Sequence, residues 1–298
     1  MLSILIPTYE YDCSELVCCL HQQCEEVVKT KAFDYEIIVA DDRSQSYIWQ
    51  NVQATIQELS HCSFIRMDEN IGRSRIRNLL AKHAQGDRLL FIDCHMDIIA
   101  DDYIQRYLDT DADADICQGG YVVARNDSMK ENLRYIYEYR ARHLNKKQPN
   151  GSNGNRDFHT SNFLVKRQLF LDHPLDETIN RYGYEDVLYG KQLNEIGIHI
   201  TEIDNPVGFS RFESNEAFVK KTEDSIETLH FIGERIGDYS RLRSIAQRIK
   251  RWHFAPILCC IFSLTKEKMR ENLCGSHPKL PVFDLYKLLY LLNLDCNE

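Results

Sequence analysis

Positive charge is in short supply. Against 45 aspartates and glutamates stand 36 lysines and arginines, a formal net charge of −9 over 298 residues. A protein that tracks a phosphate backbone needs a basic surface, so nucleic acid is excluded as the main partner and any anionic ligand must be held locally. The eleven cysteines include the adjacent pairs Cys18-Cys19 and Cys259-Cys260 but no Cys-x-x-Cys, so neither a zinc site nor a disulfide framework is spelled out. Reduced thiols in a cytoplasm fit that pattern. Nowhere do about 18 uncharged apolar residues run together, the length a membrane-crossing helix requires. The opening Met1-Leu2-Ser3-Ile4-Leu5-Ile6-Pro7 lacks the basic start and the length of a signal peptide. The expectation is a cytoplasmic chain, soluble or peripheral to the inner face of a membrane. Also missing are a Gly-x-Gly-x-x-Gly after the first apolar run and a Gly-Lys-Ser/Thr loop, so neither common phosphate cradle is available.

What is present is an ordinary globular composition, 43% hydrophobic and 27% charged, long enough for one large α/β domain with an appendage. Leu2 to Ile6 reads as a strand stopped by Pro7, followed by the polar, aromatic loop Thr8-Tyr9-Glu10-Tyr11-Asp12. A helix follows from Ser14 to Val28, then a strand from Tyr35 to Ala40 that ends in Asp41-Asp42-Arg43-Ser44. A helix around Tyr47 to Leu59, a strand Ser63 to Met67 and the turn Asn70-Ile71-Gly72 come next. The helix Arg73 to His83 carries Arg73, Arg75 and Arg77 near its positive end. Strand Leu89 to Ile92 ends in Asp93-Cys94-His95-Met96-Asp97, helix Asp101 to Leu108 follows, and Asp115 to Val123 reads as one more strand. Such alternation predicts a Rossmann-like, mostly parallel sheet with helices on both faces.

In open α/β sheets ligands gather at the carboxyl ends of strands, where Asp93 and His95 stand. Two apart on an extended backbone, they point the same way and could share one divalent cation. The plainer alternative is that Asp93 caps the next helix and His95 is a satisfied loop histidine. In the second half, Asn126 to Arg142 reads as a helix and Asn145 to Arg156 as a mobile loop, a lid or a surface insertion. Thr160 to Val165 is a strand. Tyr182-Gly183-Tyr184-Glu185-Asp186 delivers two acids to the start of a helix, where they are either functional or an N-terminal cap. Glu213 to Ile236 is helical. From Gly237 a basic stretch, Arg241 to Trp252, leads into the apolar Phe254 to Phe262, and Leu285 to Leu294 suits a terminal docking helix. Either this segment is a helical appendage packed on the domain or on a second copy of the chain, the favoured reading, or it rests on a membrane surface. The chain therefore divides into 1–125, 126–237 and 238–298.

Four pieces in order, Ile6-Pro7-Thr8-Tyr9, Ala40-Asp41-Asp42-Arg43-Ser44, Asn70-Ile71-Gly72 with Arg77-Asn78, and Phe91-Ile92-Asp93-Cys94-His95, resemble glycosyltransferase family 2 on the GT-A fold across residues 1 to roughly 235. The resemblance implies an inverting enzyme that moves a sugar from a nucleoside diphosphate sugar, UDP-linked, to a hydroxyl of a glycan or lipid-linked acceptor, as in polysaccharide biosynthesis. It implies that Thr8, Tyr9 and Asp42 meet the base, and that Pro7, Asn70, Gly72, Arg77 and Asp93 belong to the donor site. Where the family has Asp-x-Asp, this chain has Asp93-Cys94-His95, similar to the Asp-x-His of polypeptide N-acetylgalactosaminyltransferases, which implies Mn²⁺ or Mg²⁺ on Asp93 and His95. Phe209 falls where relatives often have a third metal ligand. His159, His199, or diphosphate and water are the substitutes. The Glu185-Asp186 string resembles the acids of inverting members, with Asp186 as base and Glu185 holding the acceptor. The rival expectation is a sugar-nucleotide or glycan binding protein with little or no turnover; self-association is left open.

Overall fold

The computed structural model describes residues 1–111, 113–144 and 155–296, so the expected loop at 145–156 lies outside the described residues except for its last two. In chain order the first elements are β1 (Leu2–Thr8), α1 (Ser14–Val28), β2 (Tyr35–Asp41), α2 (Ile48–Gln57), β3 (Cys62–Arg66), α3 (Arg73–His83) and β4 (Arg88–Ile92). Then come α4 (Tyr103–Leu108), β5 (Ile116–Gln118), β6 (Tyr121–Val122), α5 (Leu133–Leu144), β7 (Asn162–Lys166) and α6 (Arg167–Asp172). After α7 (Glu185–Glu195), β8 (Thr201–Glu202) and β9 (Val207–Gly208), the chain is helical: α8 (Asn215–Ile232), α9 (Arg241–Arg251), α10 (Ala255–Cys274) and α11 (Leu280–Cys296). Two compact units result, one of residues 1–122, 148–180 and 192–210, the other of 123–147, 181–191 and 211–298.

The first unit is built on a seven-stranded sheet ordered β3-β2-β1-β4-β7-β5-β8. β1 pairs in parallel with β2 and β4, and β2 with β3, as the alternation predicts. The exception is β7, antiparallel to both β4 and β5. Ile4, Leu5, Ile6, Val39, Leu90 and Phe91 are fully buried, the mark of strands covered on both faces. Because right-handed crossovers run from β1 to β2 to β3 and then back to β4, α3 lies on the opposite face from α1 and α2.

One expected strand proves to be two. Asp115 to Val123 breaks at Gly119 and Gly120: β5 joins the large sheet, while β6 pairs with β9 in a separate two-stranded sheet. A Cβ at Gly119 would come within 2.2 Å of the Asn205 carbonyl, and Gly120 has φ +68°, so the backbone turns where only glycine fits. The expected helix from Asn126 likewise starts late. Asn132 intervenes, its side-chain oxygen accepting from the Tyr135 N–H at 2.8 Å and its amide donating to the Glu213 carbonyl at 2.8 Å, so it caps α5 instead of continuing an earlier turn.

In the second unit the C-terminal segment contributes side chains to a buried core. Leu133 of α5, Phe218 and Val219 of α8, Phe262 and Leu273 of α10, and Phe283, Tyr286 and Leu289 of α11 form one buried cluster. Each such side chain contributes roughly 1.5–3 kcal/mol by leaving water. Glu223 of α8 is buried in that setting and is satisfied by the Tyr286 hydroxyl at 2.6 Å and the Arg270 guanidinium. Ser214 and Ser240 cap α8 and α9 through their hydroxyls.

Candidate functional site

The pairing of β1 with β4 ends at Leu5 and Phe91, while β1 runs on beside β2 as far as Thr8. Past Leu5, β1 therefore has a neighbour on one side only, a position that tolerates the missing N–H of Pro7. This is also where the strand order reverses, from β1 outward to β2 and β3 on one side and to β4 on the other, so a cleft opens at the carboxyl ends of β1 and β4. Thr8 and Asp93 are its tips. Cys94, between Asp93 and His95, is partly covered, and burial pushes its thiol up to about 11, so little of it is thiolate at neutral pH.

Around that cleft the structure brings the expected loops together. The Asp42 N–H donates to the Thr8 carbonyl at 2.8 Å. Its carboxylate accepts from the N–H of Ile71 at 2.7 Å and of Gly72 at 2.9 Å, and its carbonyl accepts from the Asn70 side chain at 3.0 Å. Burial raises the Asp42 carboxyl above its usual range, with those two amides pulling the other way. Asp42 is thus a clamp on the Asn70–Gly72 turn, and each of its oxygens keeps a second lone pair for a ligand. Gly72 has φ +86° and starts α3, a backbone setting that glycine alone takes without strain. Tyr9 is half exposed and offers a ring face.

Asp93 sits at the tip of β4 and is nearly closed to solvent. Arg77 forms an ion pair with one oxygen, and Arg73 stands 3.8 Å from the other. Burial alone would push the carboxyl up; Arg77, Arg73 and His95 outweigh it and hold Asp93 below the ordinary carboxylate range. The His95 ring lies edge-on between Tyr11, centroids 6.4 Å apart, and Phe209, 5.3 Å apart. Phe209 in turn meets Tyr121, and Tyr121 meets His159. Among the described residues no three His, Cys, Asp or Glu side chains form a group that could hold a metal. Asp93 and His95 are nevertheless a carboxylate and an imidazole of the kind Mn²⁺ accepts, and the rest of a shell suits diphosphate and water oxygens. His199 is exposed.

Within the second unit, Gly183 and Tyr184 both adopt positive φ, +94° and +65°, and turn the chain into α7. A Cβ on Gly183 would lie 2.4 Å from the Ser225 hydroxyl, so this turn is written for glycine. The two acids that follow part company: Glu185 is buried, whereas Asp186 lines a cavity of about 1010 Å³. Tyr137, Tyr182, Tyr184, Phe218 and Arg241 share its walls. The Asp186 carboxylate also accepts from the Val187 N–H at 2.8 Å.

Three features escaped sequence reasoning. Glu10 accepts from Ser46 and from the Gln45 N–H, latching the loop after β1 to the loop after β2, with the Ser46 hydrogen bond the main reason its carboxyl lies low. Arg73 joins Arg77 at Asp93, which their i, i+4 spacing on one helix face could have revealed. Asn162 is fully buried, accepts from the hydroxyls of Tyr103 and Tyr107, both at 2.6 Å, and donates to the carbonyls of Gly120 at 2.8 Å and Asn205 at 2.9 Å. No local pattern marks that hub.

The family model described as "Glycosyl transferase family 2" matches residues 3–173. No curated protein matches the sequence. Among solved structures, S. aureus TarS 1-349 is similar at 15% identity and a TM-score of 0.53, over 100% of this chain and 92% of that one. The same protein in complex with UDP-GlcNAc gives 16% and 0.53, over 99% and 91%. The mannosyltransferase PcManGT from Pyrobaculum calidifontis, in complex with GDP-Man and Mn2+, is similar at 12% identity and a TM-score of 0.52, over 100% and 88%. The fold held in common is GT-A.

Proposed function

Because this chain belongs to glycosyl transferase family 2, we propose that it moves a sugar from a UDP-sugar to a hydroxyl of a glycan or lipid-linked acceptor with inversion, as in polysaccharide biosynthesis. What supports the reading is the set of contacts at the switch point of the sheet, where the Asp42 carboxylate clamps the Asn70–Gly72 turn and α3, which that turn opens, pairs Arg77 with the ionised Asp93. Asp42 accepts the imide N–H of the base and Tyr9 stacks on it. Arg73, partly exposed beside Asp93, faces anionic oxygens. A Mn²⁺ or Mg²⁺ ion held by Asp93 and His95 supplies charge to offset the diphosphate.

A sugar hydroxyl is a poor nucleophile, and a carboxylate within hydrogen-bond reach takes its proton as it attacks the anomeric carbon. Asp186 is that base, and the aromatic cavity it lines has the size and character of a site for the acceptor. Phe209 in place of a metal-binding histidine favours a second reading, a binding protein with little or no turnover. UDP release measured with Mn²⁺ across a panel of UDP-sugars and glycan acceptors separates the two. Release above the no-enzyme rate supports transfer; tight UDP binding in calorimetry with no release from any donor rejects it.

A further inference from the structure

One face of α10 packs and the other is largely exposed. Ala255, Phe262 and Leu273 are buried, while Phe254, Ile257, Ile261 and Leu264 are 53%, 60%, 45% and 78% exposed. Spacings of three and four gather those four into a single stripe on the helix surface, which Lys268 continues. From Phe254 to Lys268 it runs roughly 20 Å at 1.5 Å per residue. At the elbow between α9 and α10, Trp252 is 69% exposed. A lone exposed leucine is unremarkable on any protein; a continuous apolar stripe beside an exposed tryptophan marks a contact surface.

Charge says what the contact is with. Residues 241–270 hold eight lysines and arginines against one acid, Glu267, a net +7 within a chain whose total is −9. Arg248 and Arg251, just before the elbow, are exposed and make no ion pair among the described residues. Lys250 is engaged with Asp295 at 3.1 Å and is not counted toward the surface. Aromatic side chains at a polar–apolar boundary, flanked by cations and followed by an aliphatic stripe, match the interface of a bilayer. No described helix is long and apolar enough to cross a membrane, so the fitting geometry is a helix lying in the headgroup plane. A symmetric contact with a second copy through this face would set Arg248, Arg251 and Lys268 against the same cations of the other copy, and a nucleic acid would leave Ile257 and Leu264 without a role.

We infer that the α9–α10 elbow docks the protein on lipid surfaces bearing anionic headgroups, with Trp252 and the α10 stripe entering the interface and Arg248, Arg251 and Lys268 meeting phosphates. The test is sedimentation of the full chain with vesicles of phosphatidylcholine alone or mixed with phosphatidylglycerol. Binding to the mixed vesicles alone is expected, falling roughly ten-fold in partition coefficient between about 0.1 M and 0.5 M salt as screening shortens the reach of the cations. In a Trp49→Phe background, which leaves Trp252 as the sole tryptophan, vesicles should shift emission to the blue. Ile257→Asp with Leu264→Asp should abolish binding, and Arg248→Glu with Arg251→Glu should weaken it at least as much as high salt does, both with unchanged melting temperature. The inference is overturned by absence of binding at low salt, by binding indifferent to both double substitutions, or by a concentration-dependent dimer that Leu264→Asp dissolves.

Discussion

Arg77 and Asp93 lie sixteen residues apart in the chain and form an ion pair almost closed to water, with side chains 3% and 10% exposed. A pair so buried is strongly coupled to stability, because removing one partner strands the other's charge. Arg77→Met should therefore cost roughly 3–5 kcal/mol at neutral pH. The pH dependence has a definite sign. Asp93 is held below its ordinary value in the folded chain, so unfolding takes up a proton in acid. Its contribution is present above the unfolded carboxylate value of about 3.9 and is lost as pH falls through the lower folded value. In Arg77→Met burial dominates and that slope weakens or reverses, so the gap between variant and wild type narrows toward acid. Urea unfolding at neutral pH and near pH 4 reads it; a constant gap rejects the coupling.

For Asp186, exchange to asparagine removes the base and keeps the shape. Asp186→Asn should bind UDP-sugar as the wild type does while turnover drops by at least ~10²-fold. Unchanged turnover rules the assignment out.

The metal reading makes a directional claim about ion preference. His95→Asp puts a second oxygen ligand where an imidazole stood, so Mn²⁺-supported UDP binding should persist and Mg²⁺ support should rise, since Mg²⁺ prefers oxygen. Calorimetric UDP titrations with each ion and with EDTA check this. If EDTA changes nothing and Asp93→Ala binds UDP normally, no ion is involved.

Asn162 offers a sharper stability test than any single apolar residue. Asn162→Leu leaves two tyrosyl hydroxyls and two carbonyls without their partner, at roughly 1–3 kcal/mol for each group that finds no other, so a total loss of about 4 kcal/mol is expected. Adding Tyr103→Phe and Tyr107→Phe should recover part of it, because fewer polar groups are then stranded. A strictly additive triple variant would show that the hydroxyls find other partners.

Much of the first unit was legible because its information is local. An apolar run stopped by proline gave β1, runs ending in acids gave β2 and β4, and the glycine at position 72 gave the start of α3. Loop pairing was harder: that Asp42 clamps Ile71 and Gly72, or that Glu10 reaches Ser46, depends on residues brought together by the sheet. The antiparallel entry of β7 was not legible at all, since Asn162 to Val165 carries no mark of direction. Nor was the split at Gly119, where the distant Asn205 carbonyl comes so close that a Cβ would not fit. For the C-terminal helices the sequence posed packing and surface exposure as alternatives, whereas α10 has one face for each.

The sheet order also has a consequence for how the protein is made. Phe91 in β4 pairs with Leu5 on one side and Phe163 on the other, so the strand at the centre of the cleft draws its neighbours from both ends of a long stretch of chain. Pairings so distant are slow to close. As the chain leaves a ribosome, β1 to β4 can assemble among themselves, but one edge of β4 stays open until Asn162 to Lys166 emerge. An open apolar edge strand invites pairing with another chain. Overproduction should therefore be limited by aggregation of this half-built sheet, and slowing synthesis upstream of β7 would prolong the hazard.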